Sequence, residues 1–532
     1  MGVKYTPQQQ QVIDTRGCNL LVSAAAGSGK TAVLTERIVK MISDETKPVD
    51  IDRLLVVTFT NAAAAEMRER ISAAIAKRLE SEPDNGHLQK QATLIHNAQI
   101  TTIDSFCMFV IRNNFNDIGL DPGFRVADEG ELRLLKQDVM KELLEELFGR
   151  RDEEFLHCVE YFSTGNRDDA IEEHILKLYQ FAESNPWPEE WLEERKGDYG
   201  IEDLEGLERA EFIRFGLEQA RRMAEECLLR TKDCIRICEQ PDGPYMYGEI
   251  LEKEAEAFSR LAAVKSYEEG YALFQGMTFG RLPSKKDSSV SPEKRERVQE
   301  IRKEIKGIIK NICMKFFPAP PETALEYMKG SSGAVRMLID LTLAFKEALD
   351  RKKRDNNIID FSDMEHLALS ILVKKVQGEE AGHQEEDGKE RGDGSPREDG
   401  KRKEDENPKG GAQSVTGHKL YVPSPAALDY REYFEEILID EYQDSNLVQE
   451  MILESISGEE NGKFNRFMVG DVKQSIYKFR LARPEIFMEK YEEYGKDGAG
   501  NKRIDLHKNF RSRREVLDSV NFIFSRIMGK RL

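Results

Sequence analysis

Long apolar runs, paired cysteines and an excess of positive charge are all missing from this chain. No stretch approaches the roughly 20 apolar residues needed to cross a bilayer, so no membrane is expected as a partner. The first ten residues, MGVKYTPQQQ, are polar, which excludes a secretory signal there. The seven cysteines are odd in number and form no CxxC pair. That pattern points to a reduced, cytoplasmic protein. Cys227, Cys234 and Cys238 repeat along one face of a helix, and small core residues explain them better than a metal site. The formal charge is −19, from 79 basic and 98 acidic side chains. A net acidic chain has no general attraction to nucleic acid, although a local basic channel can still bind it.

What is present is strand–helix alternation at both ends. Asn19 to Ala24, Arg53 to Phe59 and Gln99 to Ile103 read as short strands, each followed by a helical pattern. Strand patterns return at Ile437–Asp440, Phe464–Val469 and Arg503–Leu506. The fold class expected is α/β: a parallel-sheet domain interrupted by a large, mostly α-helical insertion. The expected boundaries are 1–118 and 419–532 for the two parts of the nucleotide domain and 119–370 for the insertion. Residues 377–418 are Glu, Asp, Lys, Arg and Gly with almost nothing apolar, and are expected to be a disordered linker. A three- or four-domain protein is the prior for 532 residues, at about 150 residues per domain.

One loop carries the chemistry. Ala24-Ala25-Ala26-Gly27-Ser28-Gly29-Lys30-Thr31 follows a strand and opens a helix, the context a Walker A motif requires. Small residues let backbone N–H groups close around phosphates at a helix N-terminus. Lys30 is expected to reach the β- and γ-phosphates of ATP, and Thr31 to place its hydroxyl on Mg²⁺. Ala24 stands where the motif has its first glycine. Ile437-Leu438-Ile439-Asp440-Glu441 then reads as a buried strand ending in two acids. Asp440 can hold Mg²⁺ and Glu441 can accept a proton from the attacking water. Ligands bind at the carboxyl ends of strands in such sheets.

With these motifs in place, the chain resembles superfamily 1 helicases of the UvrD type. Thr6-Pro7-Gln8-Gln9 is similar to the family's Q motif, in which the residue matching Gln9 reads adenine. Leu55 to Asn61 resembles motif Ia, which implies DNA contacts for Phe59, Thr60 and Asn61. Gly470 to Arg480 resembles motif III, which makes Gln474 a γ-phosphate sensor and Tyr477 and Phe479 stacking residues. Asn509-Phe510-Arg511-Ser512 resembles motif IV, which implies Phe510 on adenine and Arg511 at the γ-phosphate. The segments Ile103–Cys107, Leu120–Arg125, Asp360–Asp363 and Val472–Gln474 narrow the resemblance to the AddA type of helicase–nuclease subunit. Lys478 to Ala482, in place of Trp-Arg-Gly, points the same way.

The resemblance implies 3′→5′ movement on single-stranded DNA, duplex ends as substrate and an AddB-like second subunit. It also implies a second RecA-like domain and a nuclease domain, neither of which is found before Leu532. Two expectations therefore stand together. One is the helicase motor of a double-strand-break repair complex, truncated before those domains. The other is an ATP-binding fragment, or half of a split helicase, without autonomous activity. A P-loop ATPase that is not a helicase is a third reading. Four motifs in helicase order stand against it.

Overall fold

A computed structural model describes residues 4–163, 170–284, 287–376, 420–477, 481–495 and 500–527. The segment 377–418, expected to be a disordered linker, and Phe479 lie outside the described residues. The strands are β1 Asn19–Ala24, β2 Leu54–Thr58, β3 Gln99–Thr102, β4 Arg125–Val126, β5 Ile358–Ile359, β6 Val373–Val376, β7 Leu420–Pro423, β8 Glu436–Ile439, β9 Arg466–Gly470 and β10 Asn501–Leu506. Six of them form one parallel sheet in the order β10-β1-β9-β8-β2-β3. β4 pairs with β5, and β6 pairs antiparallel with β7.

The sheet is buried on both faces, and its sequence says why. Leu20 and Val22 of β1, Val56 of β2, Leu438 of β8 and Phe467 of β9 enter one apolar cluster. Their neighbours Leu21, Leu55, Ile437, Ile439 and Met468 enter the other. Alternate residues of a strand point to opposite faces, so continuous apolar runs are what a doubly covered sheet demands. Val33, Leu34 and Ile38 of the helix Lys30–Ile42 and Met67, Ile71 and Ile75 of Asn61–Ser81 cover the first face. Residues of Ile103–Asn114, Phe361–Leu372 and Leu447–Ser455 cover the second. Each fully buried aliphatic side chain contributes roughly 1.5–3 kcal/mol.

The described residues divide into two compact units. The first comprises Met1–Gln137, Gln180–Pro188 and Leu349–Leu532, and contains the sheet. The second comprises Asp138–Tyr179 and Glu189–Ala348. It is built of helices, the longest lying wholly within it being Glu211–Cys238 and Pro292–Phe316. Cys227, Cys234 and Cys238 are buried along the former, in apolar clusters with Phe258, Leu251 and Val298. Burial pushes the Cys227 and Cys234 thiols up to about 12. Among the described residues no group of three His, Cys, Asp or Glu is placed to hold a metal, and no helix is long and apolar enough to cross a membrane.

Candidate functional site

Parallel strands send their carboxyl ends to one edge, and the motifs gather there. β1 delivers the glycine-rich loop, β8 delivers Asp440 and Glu441, and β9 delivers Asp471 and Gln474. β2 delivers Phe59 and Thr60, and β10 leads to Asn509, Phe510 and Arg511.

Within the loop, Gly27 and Gly29 adopt φ of +71° and +86°, left-handed values that favour glycine. Ala24 does not need that freedom. It is the last residue of β1, fully buried and in register with Leu506, which accounts for the departure from the usual glycine. Gly29 caps the helix Lys30–Ile42, so the free N–H groups and the positive end of that helix border the loop. Ala25 is held by its N–H to the Leu506 carbonyl, and Ala26 is exposed. Ser28 is 1% exposed, and its hydroxyl has no hydrogen-bond partner.

Gln9 braces the loop from the N-terminal side. Thr6 and Gln9 form a capping box, with the Thr6 N–H donating to Gln9 Oε1 at 2.9 Å. Gln9 Nε2 donates to the Ser28 carbonyl at 2.9 Å, so both ends of the amide are engaged. The motif IV segment braces the other side. Asn509 Nδ2 donates to the Ala26 carbonyl at 2.7 Å, and the Phe510 N–H to the Gly27 carbonyl at 2.8 Å. A Cβ on Gly27 would stand 2.7 Å from Asn509 Nδ2 and 2.9 Å from Arg511 Cβ. Phe510 keeps 59% of its surface exposed, and the Arg511 side chain is exposed beside the loop. The motif IV resemblance gives Asn509 no role. Its signal in sequence is only the Asx-turn pattern, here formed with the Arg511 and Ser512 N–H groups.

Lys30 Nζ meets Glu441 Oε2 at 2.6 Å. Strand β8 ends at Ile439, and Asp440 and Glu441 lie just beyond it. Glu441 is held at φ +52°, ψ +43°. That left-handed backbone costs about 1–2 kcal/mol for a residue with a Cβ. Complete burial of Ile437 and Leu438 offsets it, at roughly 1.5–3 kcal/mol each. Burial, with help from neighbouring Glu441, raises the Asp440 carboxyl to about 6; Lys30 pulls the other way. Thr31 opens the helix next to Lys30 and is half-buried. The Asp440 carboxylate and the Thr31 hydroxyl are hard oxygen donors of the kind Mg²⁺ takes, one or two from the protein and the rest from water and phosphate. A cation would also relieve the penalty on the buried Asp440 carboxylate.

Gln474 donates through Nε2 to Asp471 Oδ2 at 2.7 Å. Farther along the edge, the Phe59 and Tyr477 rings meet with centroids 4.4 Å apart and planes 36° apart. Thr60 caps the helix Asn61–Ser81 by accepting from the Ala63 N–H, and Asn61 begins that helix, exposed. Motif Ia and motif III therefore come together in space through one residue from each. The motifs give no role to Gln443. It is 1% exposed and links the Glu441 carboxylate to the Asp471 N–H. Its place between Tyr442 and Asp444 in the sequence gives no hint of that.

A family model for the UvrD/REP helicase N-terminal domain matches residues 5–495. The chain belongs to the UvrD/REP helicase family. Three relatives, each named as an ATP-dependent helicase/nuclease subunit, are similar to it nearly end to end. The one from Lachnoclostridium phytofermentans is 48% identical over 99% of this chain and 36% of its own length. Those from Thermoanaerobacter pseudethanolicus and Clostridium beijerinckii are 42% and 40% identical, over 100% and 99% of this chain and 40% of their own length. This UvrD/REP helicase chain thus spans about two fifths of the curated relatives it matches. The similarity agrees with the AddA-type resemblance drawn from the motifs, and the six-stranded parallel sheet agrees with the α/β class.

Proposed function

We propose that the chain is the ATP-driven part of a DNA motor, the helicase subunit of a helicase–nuclease that processes duplex ends in double-strand-break repair. The observation that carries this reading is the shared edge of one sheet. It holds both the Lys30–Glu441 pair, 2.6 Å apart, and the Phe59–Tyr477 aromatic pair, 4.4 Å apart. The first suits phosphate chemistry, and the second suits sequence-tolerant stacking on single-stranded bases. The relatives are named as helicase/nuclease subunits, which supports a complex with a second, AddB-like chain. Movement in the 3′→5′ direction rests on the UvrD-type motifs.

In this reading ATP lies on the loop Ala24–Thr31, with Gln9 and Phe510 toward the base. Thr31 and Asp440 would hold Mg²⁺, which would supply positive charge to neutralise the phosphates. Lys30 binds the β- and γ-phosphates, and Arg511 and Gln474 approach the γ-phosphate. Lys30 now shares Glu441 Oε2 with Gln443. Drawing Lys30 toward phosphate leaves Glu441 freer to take a proton from water. Phe59, Thr60, Asn61, Tyr477 and Phe479 would contact DNA, and 119–370 would be the helical insertion between the two parts of the motor domain. The alternative is an ATP-binding unit that does not move on DNA by itself.

The test is ATP turnover by residues 1–532 with and without single-stranded DNA. Stimulation by DNA that Lys30→Ala or Glu441→Gln abolishes is the expected result for a motor. Nucleotide binding without stimulated turnover would sink that reading for this chain alone and leave the ATP-binding unit.

A further inference from the structure

Gln443 is buried beneath the site, and every polar atom of its side chain is spoken for. Nε2 donates to Glu441 Oε2 at 2.9 Å and to Asp444 Oδ2 at 3.1 Å. Oε1 accepts from the Asp471 N–H at 2.9 Å. A Cβ on Gly470 would collide with that Oε1, so the close approach of β9 to the amide requires glycine there. No other described side chain joins the Glu441 carboxylate to the Asp471 backbone, and the amide has a donor for one and an acceptor for the other.

The two ends of this bridge lead to different tasks. Glu441 Oε2 is the same oxygen that receives Lys30 Nζ. Asp471 opens the short helical turn Val472–Gln474; its carboxylate accepts from the Lys473 N–H and from Gln474 Nε2. Three residues after Gln474 comes Tyr477, packed on Phe59. A phosphate that competes for Lys30 removes one of the two donors on Glu441 Oε2. Gln443 then carries more of that carboxylate's charge, and a shift of the amide toward it loosens Asp444 Oδ2 and changes the load on the Asp471 N–H. The amide is fixed at both ends, so motion at one is felt at the other.

We propose that Gln443 is the positioning residue that couples the nucleotide site to the Phe59–Tyr477 stacking pair. The inference rests on the function proposed above and adds the route by which the two sites communicate. Coupling of this kind is reciprocal: Mg–ATP changes the affinity for single-stranded DNA by the same factor by which DNA changes the affinity for Mg–ATP.

The test is a two-ligand cycle on residues 1–532. It uses a non-hydrolysable Mg–ATP analogue and a fluorescent oligothymidine, each affinity being measured with and without the other ligand. The wild-type chain is expected to show a coupling factor of about 5 or more. Gln443→Leu fills the same space without polar atoms. It is expected to bring the factor to about 1, while each single-ligand affinity stays within about threefold of wild type. Gln443→Glu keeps an acceptor for the Asp471 N–H but sets a third carboxylate against Glu441 and Asp444. It is expected to lose coupling at pH 8 and regain part of it near pH 5, where the introduced carboxyl can donate again. This second variant decides the matter if Gln443→Leu fails to fold. Wild-type coupling retained by either variant across that pH range overturns the inference and leaves the motor reading standing. No coupling in the wild-type chain overturns the motor reading, and the inference with it.

Discussion

Asp440 is the residue whose chemistry depends most on its surroundings. Its carboxyl stands at about 6 because burial and Glu441 disfavour the charge. An unfolded chain holds the same group near 3.9. The folded state therefore binds the proton more tightly, and this group's contribution to stability falls as pH rises from about 4 to about 6. Above that window the penalty is fully present; below it, it vanishes. Asp440→Asn is expected to stabilise the folded chain at pH 7.5 by about 1–2 kcal/mol, a value discounted for the nearby Lys30 charge. The gain should disappear near pH 4. Urea unfolding at the two pH values checks both halves. The same variant is expected to lose Mg²⁺-dependent stabilisation by nucleotide, read as the shift of Tm on adding Mg–ATP and its reversal by a chelator. An equal shift in wild type and variant would remove Asp440 from the metal site.

Elements hold this chemistry in place through two devices. The first is the close fit of the loop against motif IV. Gly27→Ala would introduce a Cβ within 3 Å of Asn509 and Arg511 at a positive φ. The backbone term alone is about 1–2 kcal/mol. Nucleotide affinity is expected to fall at least about tenfold, because 1.4 kcal/mol is a factor of ten. A fluorescent-nucleotide titration measures it, and wild-type affinity would show that the loop can shift without cost. The second device is a buried ion pair. Arg37, 1% exposed, reaches Glu436 Oε1 at 2.7 Å and the carbonyls of Val12 and Thr15 at 2.7 and 2.5 Å. It joins the end of the helix Pro7–Asp14, which carries Gln9, to the phosphate-loop helix and to the start of β8. Arg37→Met alone leaves Glu436 buried without its cation and is expected to cost about 3–5 kcal/mol. Adding Glu436→Gln should recover much of that loss. Denaturant unfolding of the single and double variants decides it, and a mild single-variant effect would mean water reaches the pair.

For the molecule as a whole, the prediction concerns grip. Phe59 and Tyr477 come from strands on either side of β8, and their rings meet at 4.4 Å. Alanine at either position is expected to weaken single-stranded DNA binding by about 1–3 kcal/mol, as loss of one stacked base does. The double variant should lose less than the sum, because the rings support one another. Anisotropy titrations at fixed salt provide the measure, since electrostatic contacts to phosphates vary steeply with salt. Unchanged affinity in both single variants would assign these rings to packing.

Much of this is legible in the order of the amino acids alone. The apolar runs of β1, β2, β8 and β9 fit strands covered on both faces, and their alternation with helices announces the parallel sheet. Local chemistry also marks the loop, because two glycines before Lys30-Thr31 satisfy positive φ and close approach at once. Those features depend on neighbours in the chain, so periodicity and turn chemistry reveal them. Arg37–Glu436, Asn509–Ala26 and Gln443–Asp471 are not legible in that way. Their partners lie 399, 483 and 28 residues apart, and a polar residue carries no sign of which distant group it will meet. Adjacent residues suffice to dictate which strands form, which loop can cradle phosphate and which acids stand at a strand end. That Lys30 meets Glu441, and that Gln443 bridges Glu441 to Asp471, emerges only when the chain has folded. Strand order and register set those distances, and they belong to the whole sheet rather than to any one segment of it.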